Sequence, residues 1–184
     1  MRLASISTIT IACVVSAGSA AQREKLDQIE KSLKDDVPRI LCVDERFSTS
    51  GQPTDTAFAK LAAAGFRSVL NLRTASEGVD LEHERQLAEK AGLRYISIPV
   101  VGSDPKPEQA DQFLKAVKDN ANQPMLIHCA SANRVGGFWM IHRILDQGWP
   151  EDKALEEATK IGLRSDVLKK FAMDYIAAHK QKAG

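Results

Sequence analysis

Cys129 and Arg134 are the two residues whose types and spacing could together carry chemistry. Four residues separate them in the segment PMLIHCASANRVGGFWM, where an apolar run ends at the cysteine and a helical pattern begins near the arginine. A cysteine thiolate is a nucleophile, and a guanidinium can hold two oxygens of a phosphate-like anion without losing its charge. A loop between a strand and a helix also turns backbone N–H groups and the positive helix end towards an anion. The segment therefore predicts an anion-binding site with a cysteine nucleophile.

Small residues predominate in the loop that separates Cys129 from Arg134. The predicted phosphate-binding loop consists of Ala130, Ser131, Ala132, Asn133 and Arg134. We expect the small side chains, together with Gly136 and Gly137, to let the backbone approach a ligand closely. The alternative is a buried cysteine that ends a strand and an arginine on a helix surface. The position directly after a strand favours the functional interpretation.

Short apolar runs alternate with helical patterns along the chain and would position this loop. Strands are predicted within RILCV, RSVLNLR, LRYISIPV and PMLIHC, with helices between them. The alternation is typical of an α/β fold with a central, mostly parallel sheet flanked by helices on both faces. Two C-terminal helices are predicted, one from Pro150 and one capped by Ser165. In such sheets ligands bind beyond the carboxyl ends of the strands, where Cys129 would lie.

Composition and charge exclude several kinds of partner. Hydrophobic residues make up 43% of the 184 residues and charged residues 27%, which is the balance of an ordinary globular protein. The formal net charge of +1 gives no general attraction to nucleic acid. None of the four histidines has a second potential metal ligand at the spacing that zinc sites use. We therefore expect no nucleic-acid partner, no metal and no cofactor.

Residues 1–20 have the layout of a secretory signal peptide. Arg2 precedes an uncharged, largely apolar run to Val15, and small residues follow up to a favoured cleavage point after Ala20. The run is short and interrupted by Ser and Thr, which favours cleavage over a membrane anchor. Residues 21–38 are predicted to form an N-terminal helix or a linker, and residues 39–180 a single domain. We thus expect a periplasmic or secreted protein with no stable membrane anchor after cleavage.

Cleavage of the signal peptide would leave two cysteines in the protein, Cys42 and Cys129. In an exported protein the two could form a disulfide, which would block a catalytic thiolate unless it were a reversible switch. We favour a small buried residue instead, because Cys42 lies inside the apolar run RILCV.

The loop HCASANR resembles the signature loop of the protein tyrosine and dual-specificity phosphatase superfamily. Together with FSTSGQPT, LAAAGFRSVLNLR and LRYISIPV, it is most similar to a bacterial branch described as beta-lactamase-hydrolase-like. The resemblance extends from about Val43 to Leu145 and marks residues 39–180 as a phosphatase-like domain. It implies a tyrosine-phosphatase-like fold and, as substrate, a phosphorylated protein or a small phosphate ester. The oligomeric state is left open.

The resemblance also implies a mechanism. Cys129 would attack phosphorus to give a phosphocysteine, while Arg134 holds the equatorial oxygens. Asp104, in the matching stretch VVGSDPKPEQ, would be the acid that protonates the leaving group. The alternative for Asp104 is a structural role in a turn before Pro105.

Three further residues are expected to support the site. His128 would hydrogen-bond the nucleophile loop and would not act as a base. Gln52, in SGQP, and Arg73, in NLR, belong to motifs of the same branch and would line the site. Surface or structural roles are the alternative for both.

The loop departs from the superfamily pattern in three ways. It has one residue fewer than usual between cysteine and arginine, Ala132 stands where glycine is usual, and Val135 replaces the usual Ser or Thr. A shorter loop offers one fewer backbone N–H to phosphate, so we expect anion binding with slow turnover. Two alternatives are a rhodanese-like sulfurtransferase, which shares the four-residue gap and would carry a persulfide on Cys129, and a non-catalytic anion-binding module. The upstream motifs favour the phosphatase.

Overall fold

A single mixed sheet forms the centre of the protein. The computed structural model describes residues 15–180, with side chains from residue 20, so most of the predicted signal peptide lies outside the described residues. Within this range the strands are β1 (Leu41–Cys42), β2 (Phe47–Ser50), β3 (Ser68–Asn71), β4 (Arg94–Ser97) and β5 (Met125–His128). Their order is β1-β2-β5-β3-β4, and only β1 runs antiparallel to its neighbour. The predicted mostly parallel α/β sheet is confirmed.

Helices cover both faces of this sheet. They are α1 (Val15–Leu33), α2 (Ala57–Ala63), α3 (Leu81–Lys90), α4 (Pro107–Lys118), α5 (Asn133–Leu145), α6 (Glu151–Ile161) and α7 (Asp166–Lys180). Local chemistry explains several starts: Asp80 accepts a hydrogen bond from the His83 N–H at 2.9 Å, and Pro107 opens α4. The predicted cap by Ser165 is present, with its Oγ accepting from the Leu168 N–H at 3.4 Å.

The alternation of side chains along each strand divides the core into two clusters. On β3, Val69 faces a cluster built with α1, α2 and α3, whereas Leu70 faces the cluster built with α4, α5, α6 and α7. On β5, Leu126 belongs to the first cluster, and Ile127 to the second. This period of two is what a sheet buried on both faces requires. It holds β5, and therefore the loop that follows it, at the centre of the molecule.

Strand β2 was not predicted, because its sequence Phe47–Ser50 is mostly polar. All four residues are nevertheless buried, and their hydroxyl groups find partners. The Ser48 hydroxyl donates to Cys42 Sγ at 3.2 Å, and the Thr49 hydroxyl to the Leu41 carbonyl at 3.4 Å. The predicted strand RILCV is thereby reduced to a two-residue edge strand, paired antiparallel with β2.

Side chains of α1 cover the open edge of β1. Glu30 Oε1 accepts from the Cys42 N–H at 2.7 Å, and Arg23 donates to the Cys42 carbonyl at 3.4 Å. An ion pair of 3.2 Å joins Arg23 to Glu30, and Leu26 and Leu33 are buried beneath the helix. The helix therefore occupies backbone groups that an exposed strand would offer to another chain.

Candidate active site

Cys129 and Arg134 lie together at the carboxyl end of the parallel strands. Cys129 directly follows β5, and Arg134 is the second residue of α5, so the strand–loop–helix segment is as short as the sequence predicts. Both residues line a cavity of about 470 Å³, along with Ser131 and Asn133 of the loop. Residues within 74–77, 101–103 and 165–168 complete the wall. Helix α5 begins at Asn133, directly before Arg134, in agreement with the helical pattern that the sequence shows from near the arginine.

Arg134 is held in one orientation by four hydrogen bonds. Its Nη1 donates to Glu77 Oε1 at 2.6 Å and to the carbonyls of Leu72 and Val100 at 3.1 and 2.8 Å. Its Nη2 donates to Glu77 Oε2 at 2.8 Å. Burial acts to lower the pKa of Arg134, but its bonds to Glu77 and the charge of Cys129 outweigh burial and raise that pKa. The guanidinium is thus permanently charged and fixed in the same cavity as Cys129.

Glu77 is a site residue that the sequence interpretation missed. It ends a short 3-10 helix after β3, and its hydrogen bond with Arg134 is the main cause that lowers the pKa of Glu77 to about 2. Thr74 and Glu77 form a capping box, for which the sequence TASE is the signal. That signal locates a helix start, but it carries no information about an arginine far along the chain.

The loop backbone adopts the left-handed conformation at Ala132, where φ is 64°. This is the position at which the superfamily pattern has glycine, and the conformation explains that preference, since a left-handed alanine costs roughly 1–2 kcal/mol. Gly162 makes room for the loop: a Cβ added there would stand 3.1 Å from the Ser131 carbonyl and 3.2 Å from Ala132 Cβ. Tertiary packing therefore holds the strained loop in place.

The SGQP motif contacts the backbone of the loop between Cys129 and Arg134. Gly51 forms an isolated bridge with Ser131, and a Cβ added at Gly51 would lie 3.2 Å from both the Ala130 and the Pro38 carbonyl oxygens. The Gln52 N–H donates to the Ala130 carbonyl at 3.3 Å. The motif is therefore a backbone support, and a larger residue at its glycine would require the two neighbouring carbonyl groups to shift.

A buried carboxylate lies close to His128, the residue before Cys129. Glu84, which is 5% exposed, accepts hydrogen bonds from Gln52 Nε2 at 2.6 Å, Asn71 Nδ2 at 2.7 Å and the Tyr95 hydroxyl at 2.8 Å. His128 Nε2 lies 3.1 Å from the same carboxylate. Burial acts to raise the pKa of Glu84, but these bonds, above all that with His128, lower it to about 2. His128, the residue before Cys129, is thus oriented by a buried anion.

The same network continues to the arginine. Gln52 Oε1 accepts from Arg73 Nη1 at 2.8 Å, and Arg73 Nε donates to Glu77 Oε2 at 3.0 Å. Glu77 also binds Arg134. A continuous chain of hydrogen bonds therefore joins Glu84 to Arg134. Gln52 and Arg73, which were expected to line the site, stand in this network and not on the cavity wall. Their side chains form hydrogen bonds with other protein groups.

Asp104 lies close to the cavity but does not line it. Its side chain is 65% exposed and forms an ion pair of 2.6 Å with Lys106. The Asp104 N–H donates to the Val101 carbonyl at 2.9 Å, which makes the turn that the sequence Asp-Pro suggests. Gly102 and Ser103, directly before it, belong to the wall. The acid role of Asp104 stays a prediction.

Cys42 and Cys129 stand far apart in the sheet. Cys42 on β1 pairs with Ser48 on β2, and Ser48 in turn pairs with Leu126 on β5. Cys42 therefore lies two strand spacings from β5. Two strand spacings alone amount to roughly 10 Å, beyond the roughly 7 Å limit between Cα atoms of a disulfide. Burial raises the pKa of Cys42 to about 11, so its thiol stays protonated near neutral pH. Both thiols are free and buried, and the interpretation of Cys42 as a buried core residue is the one that fits.

Gly136 serves packing and not ligand approach, which corrects the expectation from the sequence. A Cβ added at Gly136 would lie 2.6 Å from the Ala158 carbonyl oxygen and 2.9 Å from the Leu163 backbone nitrogen. Helix α5 therefore approaches α6 and the turn after it at backbone distance. At Gly137 the nearest atoms would be those of Leu168 at 3.5 Å, which is ordinary contact.

The two glycines give a matched test of this packing. We expect Gly136→Ala to lower the free energy of unfolding by roughly 2–3 kcal/mol, because backbone atoms must move to admit the methyl group. Gly137→Ala is expected to be neutral or stabilising by up to about 1 kcal/mol, since alanine favours a helix and meets no clash. Urea denaturation of both variants measures the difference. Equal stability of the two variants would contradict the packing described above.

Within residues 15–180 no group of three His, Cys, Asp or Glu side chains is arranged to hold a metal ion. Over the same residues, none of the helices has the length and apolar character needed to cross a membrane.

Sequence comparison places this site in a known family. A family model described as DSP-PTPase phosphatase fused to NAD+ kinase matches residues 22–162, which is more than half of the chain. A beta-lactamase hydrolase-like protein of Xylella fastidiosa (strain 9a5c) is 30% identical over 118 residues, which cover 62% of this chain and 27% of that protein. The chain spans about a quarter of the length of the curated relatives it matches.

Solved structures share the fold. A DUF442 protein from Shewanella putrefaciens CN-32 has a TM-score of 0.68 at 22% identity, over 80% of this chain and 97% of that one. The core catalytic domain of the PP-IP phosphatase SIW14 from S. cerevisiae, in complex with citrate, has a TM-score of 0.64 at 22% identity, over 80% and 94% of the two chains. These likenesses confirm the tyrosine-phosphatase-like fold. On the evidence of the family match, the chain belongs to the DSP-PTPase phosphatase family found fused to NAD+ kinase, within the tyrosine and dual-specificity phosphatase superfamily.

Proposed function

We propose that this protein is an exported, cysteine-dependent phosphatase that hydrolyses phosphate monoesters through a phosphocysteine intermediate. The observation that carries the proposal is the position of Cys129 beside an arginine whose fork is fixed by Glu77 and two carbonyls. Membership of a phosphatase family supports a hydrolase of phosphate esters. Phosphorylated proteins and small phosphate esters are the proposed substrates.

The proposed reaction has two steps. Cys129 Sγ attacks phosphorus, the bond from phosphorus to the ester oxygen breaks, and an acid gives its proton to the departing oxygen. Asp104 is the proposed acid, and it would have to leave its ion pair with Lys106 to act. Water then gives a proton to the Asp104 carboxylate and attacks phosphorus, and the bond from sulfur to phosphorus breaks, which releases inorganic phosphate and restores the thiolate and the acid. Arg134 stabilises the charge on the equatorial oxygens in both steps.

Val135 bears on the second step. It stands where the superfamily pattern has a hydroxyl residue that assists the departing thiolate, and it is fully buried. A valine side chain can donate no hydrogen bond to sulfur, so we propose that hydrolysis of the phosphocysteine is the slow step. This agrees with the slow turnover expected from the short loop.

A rhodanese-like sulfurtransferase is the second candidate, favoured by the four-residue gap between Cys129 and Arg134. The deciding experiment assays the same purified protein with an aryl phosphate and with thiosulfate plus cyanide. We expect phosphate release that depends on Cys129 and negligible thiocyanate. Rapid thiocyanate formation without phosphate release would select the sulfurtransferase, and no reaction with either substrate would select the non-catalytic module.

Export is proposed from the sequence of residues 1–20 alone. If the signal peptide is cleaved after Ala20, protein recovered from its own host should begin at Ala21 and be found outside the cytoplasm. N-terminal sequencing of the fractionated protein measures this directly. Cytoplasmic protein that retains Met1 would contradict the proposal.

A further inference from the structure

We propose that the open edge of strand β4 binds an extended, acidic segment of a phosphorylated protein, which adds to the sheet as one more strand. This proposal rests on the proposed function, because the phosphorylated residue of the same segment would occupy the cavity that holds Cys129. The two edges of the sheet differ. Side chains of α1 bind the outer backbone groups of β1, whereas β4 pairs with β3 alone. An open strand edge is a template for an extended chain.

The backbone of β4 has free hydrogen-bonding groups at Tyr95 and Ser97. The N–H groups of Arg94 and Ile98 donate to carbonyl groups at the two ends of β3, both at 2.9 Å. Because alternate residues of a strand point their backbone groups to opposite sides, those of Tyr95 and Ser97 point away from β3. Within residues 15–180 no other group binds them. The edge can therefore exchange hydrogen bonds with an added strand.

A groove lies on each face of this edge. On the α4 face, a groove of about 550 Å³ is lined by residues that include Ile96, Ile98 and Ala116. On the α3 face, a groove of about 540 Å³ is lined by residues 92–96 and Glu89. The side chains of an added strand would alternate between the two grooves. The edge therefore offers space for side chains as well as partners for a backbone.

The charges of the two grooves favour an acidic segment. Lys115 lines the groove on the α4 face, and Arg94 lines the other. Both residues are exposed, and neither forms an ion pair in the part of the chain that the structure describes. The carboxylates of the grooves already have partners: Glu89 binds Arg85 at 2.8 Å, and Asp119 accepts a hydrogen bond of 2.9 Å from a backbone N–H. The two cations are thus available to a partner of opposite charge.

The open edge ends directly before the cavity wall. Pro99 has no N–H, and its carbonyl accepts from Gln109 Nε2 at 2.6 Å, so pairing along β4 ends at Ser97. Val101, which follows four positions after Ser97, lines the cavity that holds Cys129. Four extended residues span roughly 13 Å, so about four residues would separate the paired stretch from the phosphorylated residue. Antiparallel pairing, the more stable arrangement, places the phosphorylated residue before the paired stretch in the sequence of the partner.

Calorimetry with the full-length Cys129→Ser variant tests this docking without turnover. The probe is an acidic peptide in which a phosphotyrosine precedes the paired stretch by about four residues. Two further peptides carry N-methyl groups on alternate backbone nitrogens of that stretch, in opposite phases. We expect methylation in one phase to weaken binding roughly tenfold, because those N–H groups face β4, and methylation in the other phase to change it by less than about twofold. Lysine in place of the acidic residues should weaken binding by at least about threefold.

Substitutions of Ser97 test the same contact from the protein side. In the Cys129→Ser background, Ser97→Pro removes one outward N–H and keeps the hydrogen bonds to β3, whereas Ser97→Ala keeps the N–H. We expect Ser97→Pro to weaken binding of the unmethylated peptide roughly fivefold and Ser97→Ala to leave it within about twofold. Both variants should bind inorganic phosphate as tightly as their parent, which verifies that they fold.

Four results would overturn the proposal. They are equal affinity for the peptides methylated in the two phases, equal peptide affinity of the proline and alanine variants, peptide binding no tighter than that of inorganic phosphate, and a dimer in sedimentation that Ser97→Pro dissociates. The last result would assign the edge to a second copy of the chain. Failure of the proposed function is a separate result, because it would appear as the absence of Cys129-dependent phosphate release from an aryl phosphate.

Discussion

Replacing Cys129 with serine is expected to lower the rate of aryl phosphate hydrolysis by at least about three orders of magnitude. A serine hydroxyl is hardly ionised near neutral pH, and no histidine stands among the described residues that line the cavity. The substitution removes the proposed nucleophile, without removing charge from Arg134 or changing the loop sequence around it. Phosphate binding should therefore persist, and calorimetry with inorganic phosphate should detect it.

Cys42→Ser is the matched control for this substitution. Cys42 is also buried, but its sulfur accepts a hydrogen bond from the Ser48 hydroxyl, which a serine oxygen can equally accept. Its location two strands from β5 places it outside the site. We expect Cys42→Ser to retain activity within about twofold. Comparable losses in both variants would indicate that folding, and not a nucleophile, had been changed.

Arg134→Lys is expected to lower kcat/KM for an aryl phosphate by roughly 100- to 1,000-fold, although the positive charge remains. A lysine offers a point charge where the guanidinium offers a planar fork. It cannot hold both oxygens of Glu77 and the carbonyls of Leu72 and Val100 while also binding phosphate. The effect should fall mainly on kcat, because the charge still attracts the anion and the transition state loses its oriented donors.

Arg164→Lys makes the same chemical change at an exposed position that precedes the cavity wall. We expect its kcat/KM to stay within about twofold of that of the unaltered protein. Urea denaturation of Arg134→Lys should also show lower stability, since the Leu72 and Val100 carbonyls lose a buried donor. If Arg134→Lys were as active as Arg164→Lys, the assigned role of Arg134 would be wrong.

The sequence predicted the parts of the protein that local patterns encode. Apolar runs located four of the five strands described and local helix signals located the starts of α5, α6 and α7, while the Cys-x4-Arg loop located the candidate site. Strand β2 was not predicted because its burial depends on hydroxyl groups that form hydrogen bonds with β1, and an apolar pattern cannot show this. The role of Gly136 escaped because the atoms that restrict it belong to α6 and the following turn.

The supports of the site are long-range contacts, and no short pattern encodes them. Glu77 is bound to an arginine 57 positions later in the chain, and Glu84 to a histidine 44 positions later. In the sequence both glutamates look like ordinary charged residues near the starts of helices. Tertiary structure, and not local propensity, decides the environment of these two glutamates.

The most direct test of the phosphocysteine mechanism is to identify what becomes attached to Cys129 during turnover. The protein is mixed with an aryl phosphate, stopped in acid within the first turnovers, and the peptide that contains Cys129 is analysed by mass spectrometry. Because Val135 offers no hydrogen bond to the departing thiolate, we predict that the phosphocysteine accumulates and appears as one added phosphoryl group. A parallel sample treated with thiosulfate should be unmodified. A persulfide on Cys129 that cyanide removes, with no phosphoryl group after aryl phosphate, would contradict the account.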